Sequence, residues 1–137
     1  MTAPAPPTGR IETIAPGIRR IIAPNPSPLT LWGTNTFILG DGDVTVLDPG
    51  PPIRAHYDAI LAGLAPGERV ARILVTHAHV DHSPLARPLS EAAGARVYAF
   101  GPASAGRSEV MRDLVARGLS SGGEGSGPAV TPDVFLP

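Results

Sequence analysis

The stretch Arg72-Ile73-Leu74-Val75-Thr76-His77-Ala78-His79-Val80-Asp81-His82 decides the reading of this chain. Arg72 to Val75 reads as a short strand buried on both faces. Directly behind it, three of the four histidines fall within six residues, interleaved with one aspartate. At the end of an extended strand, residues two apart point to the same side, so His77 and His79 can present imidazoles to one metal ion. As the chain turns away, Asp81 and His82 diverge from that pair and reach a second position close by. Imidazole beside a hard carboxylate suits Zn²⁺, and also Mn²⁺ or Fe²⁺. Two such ions sharing a water lower its pKa toward neutrality, and the resulting hydroxide can attack a polarised carbonyl or phosphoryl centre. Asp81 is then expected both to bind the second ion and to steer that hydroxide. The bland alternative, a polar loop whose side chains cap the next helix, leaves the interleaving unexplained.

Working outward, the pattern is mixed α and β. Upstream, Thr36-Phe37-Ile38-Leu39 and Val44-Thr45-Val46-Leu47 flank Gly40-Asp41-Gly42-Asp43, a hairpin signal because Asp and Gly tolerate positive φ. Arg19 to Ile22 is a further strand, closed by Pro24, Pro26 and Pro28. Ile53, Tyr57, Ile60, Leu61 and Leu64 share a helical stripe that begins behind Pro52 and stops at Pro66-Gly67. His56 adjoins that stripe and reads as packing or surface. Downstream of the histidines, the spacing predicts a helix from about Ser83-Pro84, with Ser83 as cap and Pro88 delaying the regular part, closed by Gly94. Arg96 to Phe100 is the next strand. Ser108 to Arg117 can form a helix, Gly122 to Gly127 is a flexible loop, and Asp133 to Pro137 is apolar.

Composition sets the outer bounds. The 137 residues carry 12 acidic and 11 basic side chains, all the latter Arg, for a formal charge of −1. With no charge run, nothing marks an affinity for nucleic-acid backbone or an anionic membrane. Cysteine is absent, so thiolate metal sites and disulfides are excluded and His and carboxylates remain as strong ligands. Residues 1–9 read as a Pro-stiffened flexible tail, residues 10–137 as part of a single domain, and the absence of a leader-like or spanning segment makes the cytoplasm the expected location.

The segment Thr76 to His82 behind an apolar strand resembles the signature of the metallo-β-lactamase fold superfamily of metal-dependent hydrolases. Gly33-Thr34-Asn35-Thr36-Phe37 before the hairpin and Val46-Leu47-Asp48-Pro49-Gly50 after it stand where that superfamily carries similar segments. The Gly-Thr-Asn-Thr form is most similar to the branch named after beta-lactamase-like protein 2. The resemblance implies the N-terminal half of an αββα sandwich, an α+β architecture, with two divalent ions at one edge of the paired sheets, zinc first and manganese or iron as alternatives. It places His77 and His79 at the first ion, Asp81 and His82 at the second, and Asp48 in a supporting role. The implied substrate is a small molecule bearing an ester, thioester, lactam or phosphodiester; an endoribonuclease reading rests on the same resemblance alone. Taken without it, Gly33 to Thr36 is a turn into a strand, Asp48 an ordinary turn residue, and Trp32 is as well suited to a core as to a pocket wall.

The superfamily supplies a third first-site His, a bridging Asp and a last second-site His from the following half of its domain. No His follows His82 here, and the surroundings of Asp113, Glu124 and Asp133 do not resemble those of the bridging Asp. The expectation is a piece of a longer domain, owning one sheet with a half-covered apolar face, little active by itself, and dependent on the remaining half or on an oligomer. The competing expectation is a non-catalytic binding or assembly module.

Overall fold

The computed structural model describes residues 4–77, 81–99, 117 and 132–136. In chain order its elements are β1 (Glu12–Ala15), β2 (Ile18–Ile22), β3 (Asn35–Leu39), β4 (Asp43–Leu47), α1 (Arg54–Ala62), β5 (Arg69–Val75), α2 (Ala86–Ala93), β6 (Arg96–Ala99) and β7 (Val134–Phe135). They form one sheet in which the strand order equals the sequence order. β1 to β4 run antiparallel. β4 to β7 run parallel, with α1 as the crossover from β4 to β5 and α2 from β5 to β6.

The hairpin forms at the expected place, Phe37 opposite Leu47 and Ile38 opposite Val46. Gly40 and Gly42 take φ of +92° and +73° in its turn, conformations an L side chain resists. Period-two alternation then sorts the sheet into two faces. Ile21, Ile38, Val46, Ile73 and Val97 are fully or nearly fully buried and meet Ile60 of α1 and Leu89 of α2 in one core. The opposite face presents Phe37, Leu39, Leu47, Leu74 and Tyr98, all only half-buried. The architecture is α+β, consistent with the N-terminal portion of an αββα sandwich.

Several boundaries differ from expectation. α1 ends at Ala62 with Gly63 as its C-cap, short of Pro66-Gly67. His56 and Ile60 are its buried residues, whereas Leu61 is 39% exposed. Residue 61 lies about 100° around the helix from residue 60, so a face centred on 53, 56 and 60 leaves it outside. α2 begins at Ala86, later than Ser83, with Leu85 as its N-cap. Ser83 instead contributes its backbone carbonyl, which accepts from the Ala86 amide at 2.9 Å. Pro88 sits in the first turn, where backbone donors lack an intrahelical acceptor anyway. β1 and β7 are not apparent from their own residues, because each is a short edge strand completed by its neighbour. β7 is anchored through Asp133, whose amide donates to the Val97 carbonyl at 2.8 Å and whose Oδ2 accepts from the Val97 amide at 2.7 Å. The Ser108 to Arg117 helix and the Gly122 to Gly127 loop fall outside the described residues, apart from Arg117.

Candidate metal centre

β4 and β5 are parallel neighbours, so the turns that follow them, at Asp48 and at Thr76, emerge side by side. Asp48 has φ of +50°, a left-handed conformation that Asp tolerates better than most residues. That turn brings its carboxylate across the strand gap. Oδ1 accepts from the Thr76 amide at 2.8 Å and Oδ2 from the Thr76 hydroxyl at 2.7 Å. Nδ1 of His82 reaches the same Oδ2 at 3.0 Å.

The hydroxyl of Thr76 has one proton, which the carboxylate takes. Its contact of 2.8 Å with Nδ1 of His77 therefore needs the proton on the ring, which puts the lone pair on Nε2 of a neutral His77. The ring centroids of His77 and His82 stand 4.2 Å apart. Ligand atoms of Asp48, His77 and His82 all lie within 4.8 Å of one another, close enough for one cation. On the far side of the His82 ring, Nε2 lies 3.2 Å from Oδ2 of Asp81. An imidazole lone pair facing a carboxylate at that range repels it unless a proton or a metal ion lies between. Asp81 is 7% exposed, and its Oδ1 is buried with no hydrogen-bond partner. A buried carboxylate oxygen without a donor is costly, and a divalent cation satisfies it. The donor set therefore fits a metal.

The predicted residues are distributed as follows. His77 and His82 come together; Asp81 joins them through His82. Asp48 sits in contact with His82 and within reach of the same cation. His79 lies outside the described residues.

Sequence reading did not single out the hydroxyls that organise this edge. Thr34 and Thr36, two apart at the entrance of β3, point to the same side. Oγ1 of Thr34 donates to Oδ2 of Asp81 at 3.0 Å, and Oγ1 of Thr36 donates to the Asp48 carbonyl at 2.7 Å. Both threonines are buried, so the Gly33 to Thr36 segment is a brace for both aspartates as well as a turn. Gly33 is required because a Cβ there would fall 1.9 Å from the Ala23 carbonyl oxygen. His56, fully buried, sits behind Thr36. Burial pushes its imidazole down to about 4, opposed more weakly by the backbone at Pro49. The only available signal was the period-two spacing of the threonines, which has no chemical meaning until the partners are placed. Trp32 is neither core nor fully solvent-borne, at 42% exposure.

A carboxylate beside two imidazoles, at the turns that follow two adjacent parallel strands of a mixed sheet backed by helices, defines an α+β domain with a candidate cation site. Residues 29–129 match the metallo-beta-lactamase superfamily, and the chain belongs to that superfamily. It is 39% identical over 80 residues to the lactamase-like protein ptaB of Pestalotiopsis fici, covering 57% of this chain and 26% of that protein. It is 35% identical over 75 residues to an atrochrysone carboxyl ACP thioesterase of Aspergillus fumigatus, covering 53% and 24%. A beta-lactamase-like protein 2 homolog of Caenorhabditis elegans is 37% identical over 75 residues, covering 53% and 23%. Among solved structures, a beta-lactamase domain protein from Burkholderia ambifaria superposes with a TM-score of 0.55 at 31% identity, over 68% of this chain and 32% of that one. The chain thus spans about a quarter of the length of the curated relatives it matches. These names cross branches, so membership holds at the level of the superfamily. No helix among the described residues is long and apolar enough to cross a membrane.

Proposed function

We propose that this chain carries the metal-binding portion of a hydrolase that binds two divalent cations, zinc first with manganese or iron as alternatives, and cleaves a small acyl or phosphoryl substrate. The observation that carries the reading is the convergence of Asp48, His77 and His82 at the ends of two adjacent parallel strands. His77 and His79 would hold the first ion and Asp81 and His82 the second, with Asp48 orienting His82. The bound cations supply Lewis acidity and an activated water. Asp81 would orient that water through its carboxylate, while Thr76 holds His77 in the tautomer that offers Nε2. Esters, thioesters, lactams and phosphodiesters all fit this chemistry. Thioesters come first, because the Aspergillus fumigatus relative is named as an acyl-carrier thioesterase. The Gly33-Thr34-Asn35-Thr36 segment and the Caenorhabditis elegans relative support the beta-lactamase-like protein 2 branch as the alternative placement.

A panel of thioester, ester, lactam and phosphodiester substrates with added Zn²⁺ or Mn²⁺ tests the reading. Weak turnover that is lost in His79→Ala and Asp81→Ala supports it. Turnover indifferent to both substitutions, or to chelation, overturns it. A second reading, a non-catalytic assembly module, is favoured by the half-buried face of Phe37, Leu47, Leu74 and Tyr98. A metal-free oligomer by native mass measurement would decide for it.

A further inference from the structure

Asp81 is held by a relay that nothing in the metal chemistry itself requires. The Thr34 amide donates to Oδ1 of Asn25 at 2.9 Å. A backbone N–H can only donate, so this bond fixes which end of the Asn25 amide faces inward. Nδ2 of Asn25 is then the atom 3.0 Å from Oγ1 of Thr34, and it donates. Asn25 is in turn tied to the loop by its own carbonyl, which accepts from the Thr30 hydroxyl at 2.7 Å. With an N–H already pointing at it, the Thr34 oxygen has one direction left for its single proton. That direction is Oδ2 of Asp81, at 3.0 Å.

The consequence falls on the other carboxylate oxygen. With Oδ2 engaged by Thr34 and facing His82, Oδ1 is the one left buried and without a partner. We propose that Thr34, polarised by Asn25, is a positioning residue that determines which oxygen of Asp81 is presented to a cation. This rests on the reading of Asp81 as a metal ligand. A threonine that merely packed would tolerate valine, which has the same shape. A threonine that positions through its proton tolerates serine and not valine. Asn25→Asp supplies an independent probe: it preserves the side-chain outline but puts an acceptor where Nδ2 stood, so the Thr34 proton is drawn away from Asp81.

The experiment is a titration of the full 137-residue chain with Co²⁺, followed by its visible absorption band, with circular dichroism as the control for folding. Thr34→Val and Asn25→Asp are expected to weaken Co²⁺ binding about 10-fold or more and to alter the band, as loss of an orienting partner does. Thr34→Ser is expected to restore both. If Thr34→Val unfolds, Asn25→Asp against Thr34→Ser decides. Wild-type-like binding and an unchanged band in a folded Thr34→Val or Asn25→Asp chain overturn the proposal and leave the metal reading standing. A Thr34→Ser chain as impaired as Thr34→Val also overturns it. Failure of the folded wild-type chain to take up Co²⁺ overturns the metal reading and this inference with it.

Discussion

Oγ1 of Thr36 lies 2.8 Å from Nε2 of His56, and this contact sets the tautomer of a buried imidazole. The hydroxyl proton goes to the Asp48 carbonyl, so His56 donates from Nε2, and Nδ1 stays unprotonated and has no hydrogen-bond partner. Burial keeps that ring neutral in the wall behind the site.

The first prediction is a pH dependence of stability. The folded imidazole titrates at about 4 against its ordinary value of 6.5. Between those values the unfolded chain binds a proton that the folded chain refuses. Stability is therefore complete above about pH 6.5 and falls as the pH drops toward 4, by about 3 kcal/mol in all if His56 is the dominant group. Urea unfolding from pH 7.5 to 4.5 checks this, with His56→Gln as control. Equal slopes in the two proteins would remove His56 as the cause.

Gly50 is predicted to reject any side chain. Its φ is +97°, and a Cβ would stand 2.8 Å from Cδ2 and Nε2 of the His56 ring. Its amide donates to the His82 carbonyl at 2.9 Å and its carbonyl accepts from Leu85 at 3.2 Å, which stitches the two site loops together. Gly50→Ala should cost about 2–4 kcal/mol in denaturant unfolding. It should also shift the His56 ring resonances; an unperturbed imidazole would contradict the packing described.

Thr76 serves Asp48 and His77 at once. Thr76→Val should lower metal affinity about 10–100-fold in competition with a chelating dye, and Thr76→Ser should retain most of it. Equal affinities for valine and serine would mean that the hydroxyl does not set the His77 tautomer.

Two leucines separate the core from its imitation. Leu89→Ala empties a fully buried site under β5 and β6 and should destabilise by about 2–5 kcal/mol. Leu61→Ala, on the exposed flank of α1, should stay within about 0.5 kcal/mol of wild type. Comparable losses at both would put Leu61 back on the buried face.

Local chemistry explains what could be read in advance. The hairpin at Gly40 to Asp43 declares itself because Asp and Gly are permitted where other residues are strained, and β5 because an apolar run abuts an interleaved metal motif. Helix limits were less legible, since Ser83 has the composition of a cap, yet the N-cap of α2 is Leu85. β1 and β7 are defined by the open edges of their neighbours. The same holds in the site. His77, Asp81 and His82 stand out through spacing, whereas Asn25, Thr34, Thr36 and His56 are ordinary polar residues whose roles exist only once partners 9 to 47 residues away in sequence lie alongside.

Strand order has a consequence for synthesis. Each of β2 to β6 finds its partner in the strand just made, so the sheet can grow at the ribosome one edge at a time with little waiting. Asp48 leaves the tunnel before Thr76 and His82 do, and its carboxylate waits for partners 28 and 34 residues further on. The slowest closure is β7, which returns from Val134 to Tyr98. Until it does, nascent chains expose the outer edge of β6, and that edge is where a chaperone or a second nascent sheet would first take hold.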